Sequence, residues 1–185
     1  GLVAVYTSTE GGEAQSLAVS TDRGRTWRRP AGNPVLPSTG RRDFRDPAVF
    51  RHEPTDAWVM ALAVGDAIEL YRSPDLREWS FASRFGDGQG MHSGVWECPD
   101  LFPLPVDGDP DRTLWVLHVS VGASPETGGS TAQYFLGAFD GTTFTRDLGA
   151  EGHDDPAAWR QTDAGQDFYA ARTWEHAPGG RRVWL

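Results

Sequence analysis

Two acidic residues stand in settings unlike those of ordinary surface carboxylates. Asp46 lies in Asp43-Phe44-Arg45-Asp46-Pro47, and Glu97 in Gly94-Val95-Trp96-Glu97-Cys98-Pro99-Asp100-Leu101-Phe102. Each has an aromatic residue within the two positions before it and a proline within the two positions after. One carboxyl group that protonates a leaving oxygen and another that attacks or activates water are what glycoside hydrolysis needs, and the gap between them sets the stereochemical outcome. A structural reading stands beside this one. Asp before Pro commonly initiates a turn, and a strand Glu can be an ordinary solvated charge, although Trp-Glu-Cys-Pro reads as buried sequence, where a lone carboxylate is unusual.

These acids lie 51 positions apart, so only a tertiary fold can bring them together. Short apolar or alternating runs recur between turn residues: Leu2–Tyr6, Ser16–Ser20, Trp58–Val64, Ile68–Arg72, Leu114–Ser120, Tyr134–Phe139 and Arg182–Leu185. Their period and length indicate strands. Glycine and proline clusters such as Pro30-Ala31-Gly32-Asn33-Pro34 and Gly86-Asp87-Gly88-Gln89-Gly90 interrupt every stretch of helical length. No segment shows a convincing helical period, and the sequence therefore predicts an all-β chain.

Three stretches repeat one another: Ser20-Thr21-Asp22-Arg23-Gly24-Arg25-Thr26-Trp27, Ser73-Pro74-Asp75-Leu76-Arg77-Glu78-Trp79 and Phe139-Asp140-Gly141-Thr142-Thr143-Phe144. Each leads from a strand through an Asp turn to an aromatic residue, and the acids Asp22, Asp75 and Asp140 are read as turn caps. Such periods suit propeller blades. An apolar strand precedes each of the last two turns, and an acidic segment carrying Asp46 or Glu97 precedes that strand. The order matches a four-stranded blade whose innermost strand faces a central channel, with Asp46 and Glu97 at equivalent positions of neighbouring blades. Asp167-Phe168-Tyr169-Ala170 opens a further unit. The expected division is a blade remnant at 1–37, blades at 38–90 and 91–150, and a partial blade at 151–185, roughly three blades of a five-bladed β-propeller.

Bulk properties narrow the function classes. Seventeen Lys+Arg against 26 Asp+Glu, a net charge of −9, argue against a nucleic-acid binder, which needs a basic face. The single cysteine, Cys98, rules out an internal disulfide, so secreted and cytoplasmic locations both stay open, with secretion preferred. No apolar run reaches 18 residues, and Gly1 to Thr9 lacks the charge and hydropathy of a signal peptide. Eight Trp and nine Phe beside 22 Gly and 13 Pro fit a turn-rich β protein with aromatic side chains for carbohydrate.

The Arg45-Asp46-Pro47 and Glu97-Cys98 segments resemble two motifs of the glycoside hydrolase family 32 β-fructosidases, which include levanases, exo-inulinases and invertases. Gln15-Ser16-Leu17-Ala18, Asn33-Pro34-Val35-Leu36, Ile68-Glu69-Leu70-Tyr71 and Asp167-Phe168-Tyr169-Ala170-Ala171 with Thr173-Trp174 agree with that family in order, so the resemblance covers essentially the whole chain. It implies a retaining glycosidase acting on levan, inulin or sucrose without cofactor or metal. Glu97 matches the general acid/base, and Asp46 matches the transition-state stabiliser that binds fructose hydroxyls. Arg45 would sit beside both acids, orienting sugar hydroxyls and holding Asp46 ionised by its charge. Cys98 would tune the acid's surroundings. Trp96, Asp100, Asp167 and Tyr169 are further substrate-binding candidates, Asp100 being equally suited to bracing its strand. The family nucleophile, an Asp in an Asn-Asp-Pro-type motif of the first blade, has no counterpart in these residues. The chain by itself is therefore expected to be inactive, lacking that first blade and the C-terminal β-sandwich.

Other residues draw plainer readings. Phe168 and Trp174 are expected in blade packing, His92 in a solvated loop, and His118 as a hydrogen-bonded core residue. Two rival functions remain. The Ser20-to-Trp27 stretch is also the Asp-box of sialidases and of non-catalytic sugar-binding propellers, although a sialidase would need an arginine cluster and a Tyr–Glu pair. An arabinan-type glycosidase shares the five-bladed scaffold, but should lack the Arg-Asp-Pro and Glu-Cys pair.

Overall fold

The computed structural model describes residues 1–165, 168–179 and 181–185. Strands β1 (Leu2–Ser8) and β2 (Ala14–Ser20) form an antiparallel pair. Then β3 (Phe44–His52), β4 (Ala57–Val64), β5 (Ile68–Ser73) and β6 (Ser80–Phe85) make one four-stranded sheet in chain order. A second sheet holds β7 (Trp96–Val106), β8 (Asp109–Ser124), β9 (Gly129–Phe139) and β10 (Phe144–Arg146). A helical turn, α1 (Leu148–Glu151), and β11 (Arg160–Gln161) follow, and β12 (Thr173–Ala177) pairs with β13 (Arg181–Trp184). No helix of the described residues is long and apolar enough to cross a membrane.

The apolar run of β4 explains how the sheets stack. Val59, Ala61 and Ala63 face a core shared with Leu117, Val119 and Phe135 of the second sheet, whereas Met60, Leu62 and Val64 face Leu36, Phe44 and the partly buried Val5. Because successive side chains point to opposite faces, a strand covered on both sides must be apolar at every position. Small residues on one face and large ones on the other set the two separations.

All three Asp turns form as expected. Asp22 accepts from the Thr26 amide at 2.9 Å and its hydroxyl at 2.6 Å. Asp75 accepts from the Arg77 and Glu78 amides, and Asp140 from those of Thr142 and Thr143. The side chains of Trp27 and Trp79 close the first two turns by donating to the Gly24 and Leu76 carbonyls.

The all-β chain still holds two short helical elements. The outer strand of the second sheet is broken: β10 pairs with Gly137–Phe139 and β11 with Gln133 and Tyr134, while α1 and the following loop bulge out between them. Where the ladder is interrupted, the Glu151 carboxylate accepts the Leu136 amide at 2.9 Å, taking the place of a strand carbonyl. Arg146 neutralises that buried acid through two hydrogen bonds and lies over the Phe135 ring. Four residues capped by Asp147 are too few for a periodic signal. A second short element, a single 3-10 turn at Glu53–Thr55, joins β3 to β4.

Candidate active site

The first strands of the two larger sheets carry the same irregularity. In β3 the register jumps from Arg45 opposite Ala63 to Ala48 opposite Ala61, and in β7 from Glu97 opposite Ser120 to Asp100 opposite His118. Two residues therefore face one partner, which is a β-bulge. Counting from Arg45 and from Glu97, the second residue of each has positive φ: Asp46 at 61° and Cys98 at 47°. The third is proline, which has no amide hydrogen to lose from the ladder. Ala170, in Tyr169-Ala170-Ala171-Arg172 just before β12, has a positive φ of 56° as well.

This register corrects the equivalence read from sequence. Glu97 corresponds to Arg45 and Tyr169, and Asp46 corresponds to Cys98 and Ala170. Aligning the two motifs on their acids shifts one strand by a residue, which matters because side-chain direction alternates along a strand. The corrected register puts Arg45 and Glu97 at one level of neighbouring inner strands, Tyr169 lies just before β12, and the three touch. Arg45 Nη2 donates to Glu97 Oε1 at 3.0 Å, and the Tyr169 hydroxyl donates to Glu97 Oε2.

The next level is tied from blade to blade through the bulge amides. Thr7 Oγ1 accepts the Asp46 amide at 3.1 Å, Asp46 Oδ2 accepts the Cys98 amide at 3.1 Å, and Ser120 Oγ accepts the Ala170 amide at 2.9 Å. Gln15, fully buried, accepts from Thr7 and donates to the Phe44 carbonyl, which fixes the entrance to the first bulge.

Arg45 does not pair with Asp46 as expected. Its guanidinium is shared among Glu97, Asp43 at 2.5 Å and Glu13 at 3.1 Å. Partial burial opposes the charge, but the hydrogen bonds to Asp43, Glu97 and Glu13 outweigh it and raise the Arg45 pKa above its usual value. Asp46 is held instead by the Cys98 amide, with the Cys98 thiol 3.7 Å from the same oxygen. Burial, reinforced by the negative charge of Asp46, pushes that thiol up to about 11.

The remaining candidates separate clearly. Trp96 is fully buried among Phe85, Phe135 and the stacked ring of His92, and its indole donates to the Met91 carbonyl. It is a core residue and not a sugar contact. Asp100 follows its strand-bracing alternative, for its carboxylate accepts both the amide and the hydroxyl of Thr173. Asp167 lies outside the described residues. Phe168 packs edge-on to His118 and Trp184, whereas Trp174 is 63% exposed and does not share that packing role. His92 is held at Asp66 and Gln89 as well as on Trp96. His118 is buried, but among the described residues neither ring nitrogen has a partner, so of the hydrogen-bonded core residue expected there the structure shows the burial and no hydrogen bond from those residues. Sequence reasoning missed Glu13, which accepts the Phe44 amide and Arg45, and Arg172, which reaches both bulges. Nothing in the neighbouring sequence marked either.

The assembled site holds a carboxyl group between a cation and a phenol, beside a second carboxylate that accepts a backbone amide. Arg45 and Glu97 retain 23% and 22% side-chain exposure, enough for a solute to reach them. A cavity of about 250 Å³ runs against the same strands, lined by Pro47, Asp100, Arg172 and Thr173. Such an arrangement can pass a proton through Glu97 while Asp46 offers a fixed acceptor to a hydroxyl-rich ligand.

Comparison with known proteins places this geometry. Residues 1–185 match the model described as the N-terminal domain of glycosyl hydrolases family 32. The chain belongs to glycosyl hydrolase family 32. Within that family it is 53% identical over 187 residues to a levanase of Bacillus subtilis (strain 168), covering 100% of this chain and 27% of the relative. An extracellular exo-inulinase of Meyerozyma guilliermondii is 41% identical over 180 residues, covering 96% of this chain and 33% of the relative. The β-fructofuranosidase of Schwanniomyces occidentalis, solved with fructosyl-erythritol, superposes with a TM-score of 0.84 at 33% identity, over 96% of this chain and 33% of that one. This family 32 chain thus spans about a quarter to a third of the length of these relatives, and its sheets are blades of the family's five-bladed propeller.

Proposed function

We propose that the protein carrying this chain hydrolyses terminal β-D-fructofuranosyl bonds of fructans, with levan and inulin favoured over sucrose, by a retaining double displacement. Glu97 is the acid/base and Asp46 the transition-state stabiliser. The observation that carries this reading is the setting of Glu97, whose two carboxyl oxygens are engaged by Arg45 and Tyr169 from the two neighbouring inner strands. Both partners donate to the carboxyl group and hold it in place. Proton transfer demands a group fixed within hydrogen-bond reach of the reacting oxygen. Asp46, anchored through the Cys98 amide, is placed to accept sugar hydroxyls whose hydrogen bonds strengthen as positive charge grows on the fructosyl ring. The levanase and exo-inulinase relatives support the substrate class. Exo-inulinases named as extracellular support secretion.

The 185 residues contain no Asn-Asp-Pro sequence. On this reading the nucleophile comes from another part of the full-length protein. The test is to assay that protein on levan, inulin and sucrose for released fructose, alongside Glu97→Gln. Wild type is expected to act on levan and inulin, and Glu97→Gln to lose at least about a hundredfold in kcat while keeping its thermal midpoint. A wild type inert on all three substrates, or a smaller loss in the variant, would sink the reading.

A further inference from the structure

Arg172 joins the two acid-bearing bulges. Its Nη1 donates to the Pro99 carbonyl at 2.6 Å and its Nη2 to the Asp46 carbonyl at 3.2 Å. One guanidinium, carried by the third inner segment, thereby reaches across both of the others. Each carbonyl lies within a register shift, where the neighbouring strand does not offer its regular ladder partner. The backbone of Arg172 is itself fixed, since its amide and carbonyl both pair with Leu185. Thr173, next in sequence, is bound twice by Asp100. A planar fork with several fixed donors can hold two carbonyls at once, which a lysine ammonium on a flexible stem does less well.

The bulges determine where the carboxylates point. Asp46 is itself a bulge residue with positive φ, and Glu97 immediately precedes the corresponding residue, Cys98. A non-glycine residue in that region persists only where its surroundings hold it. The contacts of Arg45 and Tyr169 hold the Glu97 carboxyl group, whereas Arg172 holds the main chain from which both acids project. The charge of Arg172 is also felt at Cys98, where it opposes the rise that burial imposes on the thiol.

We propose that Arg172 is a positioning residue for the Asp46 and Glu97 pair, fixing both bulges through their carbonyls and so the separation of the two carboxylates, without touching substrate. The catalytic half of this inference rests on the assignment of those acids above. The fixing of the bulges does not.

Two measurements on the full-length protein separate these parts. In Arg172→Met, hydrogen exchange followed by mass spectrometry should be about tenfold faster or more in peptides spanning Asp46 and Cys98, where opening has become easier, with β4 and β5 unchanged. On levan, kcat should fall by about ten- to a hundredfold, the scale of a small misplacement of reacting groups, with KM nearly unchanged. Arg172→Lys, which keeps the charge and loses the fork, should remain impaired in both, and it carries the test if the methionine variant does not fold. Unchanged exchange at the bulges overturns the proposal outright. Faster exchange with wild-type kcat overturns the positioning role. If wild type releases no fructose from any fructan, the functional reading fails, and the catalytic half falls with it while exchange still decides whether Arg172 holds the bulges.

Discussion

At the scale of single residues, burial decides which groups carry charge. His118 lies in the core with neither ring nitrogen bonded among the described residues, and burial, aided by the charge of Arg172, lowers its pKa to about 4 from 6.5. The unfolded chain therefore binds the extra proton first as pH falls. His118 leaves stability at its full value above pH 6.5 and withdraws it between 6.5 and 4, by up to about 3 kcal/mol. Urea midpoints of wild type and His118→Leu at pH 7 and pH 4.5 should show the wild type losing more on acidification. An equal loss would remove His118 from the account. Cys98 makes a matching case on the alkaline side. With its thiol pushed up to about 11, it should resist iodoacetamide at pH 7.5 and react as pH approaches 10, because the thiolate is the nucleophile. Rapid labelling of Cys98 at neutral pH would contradict that environment.

At the scale of elements, irregularities do the positioning. A regular inner strand would alternate its side chains strictly, whereas each bulge turns one residue to positive φ and re-aims its neighbours. The broken outer strand is the other departure. Glu151 fills a ladder position and pairs with Arg146, whose side chain is only 2% exposed. Glu151→Gln can still accept the Leu136 amide but leaves the Arg146 charge unpaired, so chemical denaturation should show a loss of about 3–5 kcal/mol. A loss under about 1 kcal/mol would mean that the loop rearranges to solvate Arg146. The approach to β7 depends on Gly94, where an added Cβ would meet the Gly122 carbonyl oxygen at 2.2 Å. That contact is with backbone and has no flexible end to yield. Gly94→Ala should therefore lower the thermal midpoint, and because Gly94 lies three residues before Glu97 it should also lower kcat.

At the scale of the molecule, the site exists only where three inner strands meet. Arg45 lies 52 positions from Glu97 in sequence, Tyr169 lies 72, and Arg172 lies 126 from Asp46. No single blade contains the arrangement. Because Arg45 and Tyr169 hold the same carboxyl group from opposite sides, their losses should not add. A cycle of Arg45→Met, Tyr169→Phe and the double variant should show an interaction of about 0.5–3 kcal/mol in kcat/KM on levan. Strict additivity would mean that the two contacts act independently.

The chain's own residues determined a good deal. Two-residue periodicity marked most of the principal strands, the Asp turns marked blade repeats, and the Arg-Asp-Pro and Glu-Cys motifs marked the family, because each is a local pattern whose cause is local. β3 and β7 were legible only as acidic segments, and α1 was too short to show. Sequence did not determine the register at the bulges, since pairing depends on the partner strand and a one-residue slip looks reasonable from either motif alone. It therefore misaligned Asp46 with Glu97, and it placed Arg45 beside both acids, whereas the structure pairs Arg45 with Glu97 and not with Asp46. It assigned Trp96 to substrate because burial is a property of what packs around a residue. It passed over Arg172, an arginine in an unremarkable stretch whose two carbonyl partners belong to other sheets. The acids were readable from their neighbours in sequence, whereas what orients them was decided only when three strands came together in space.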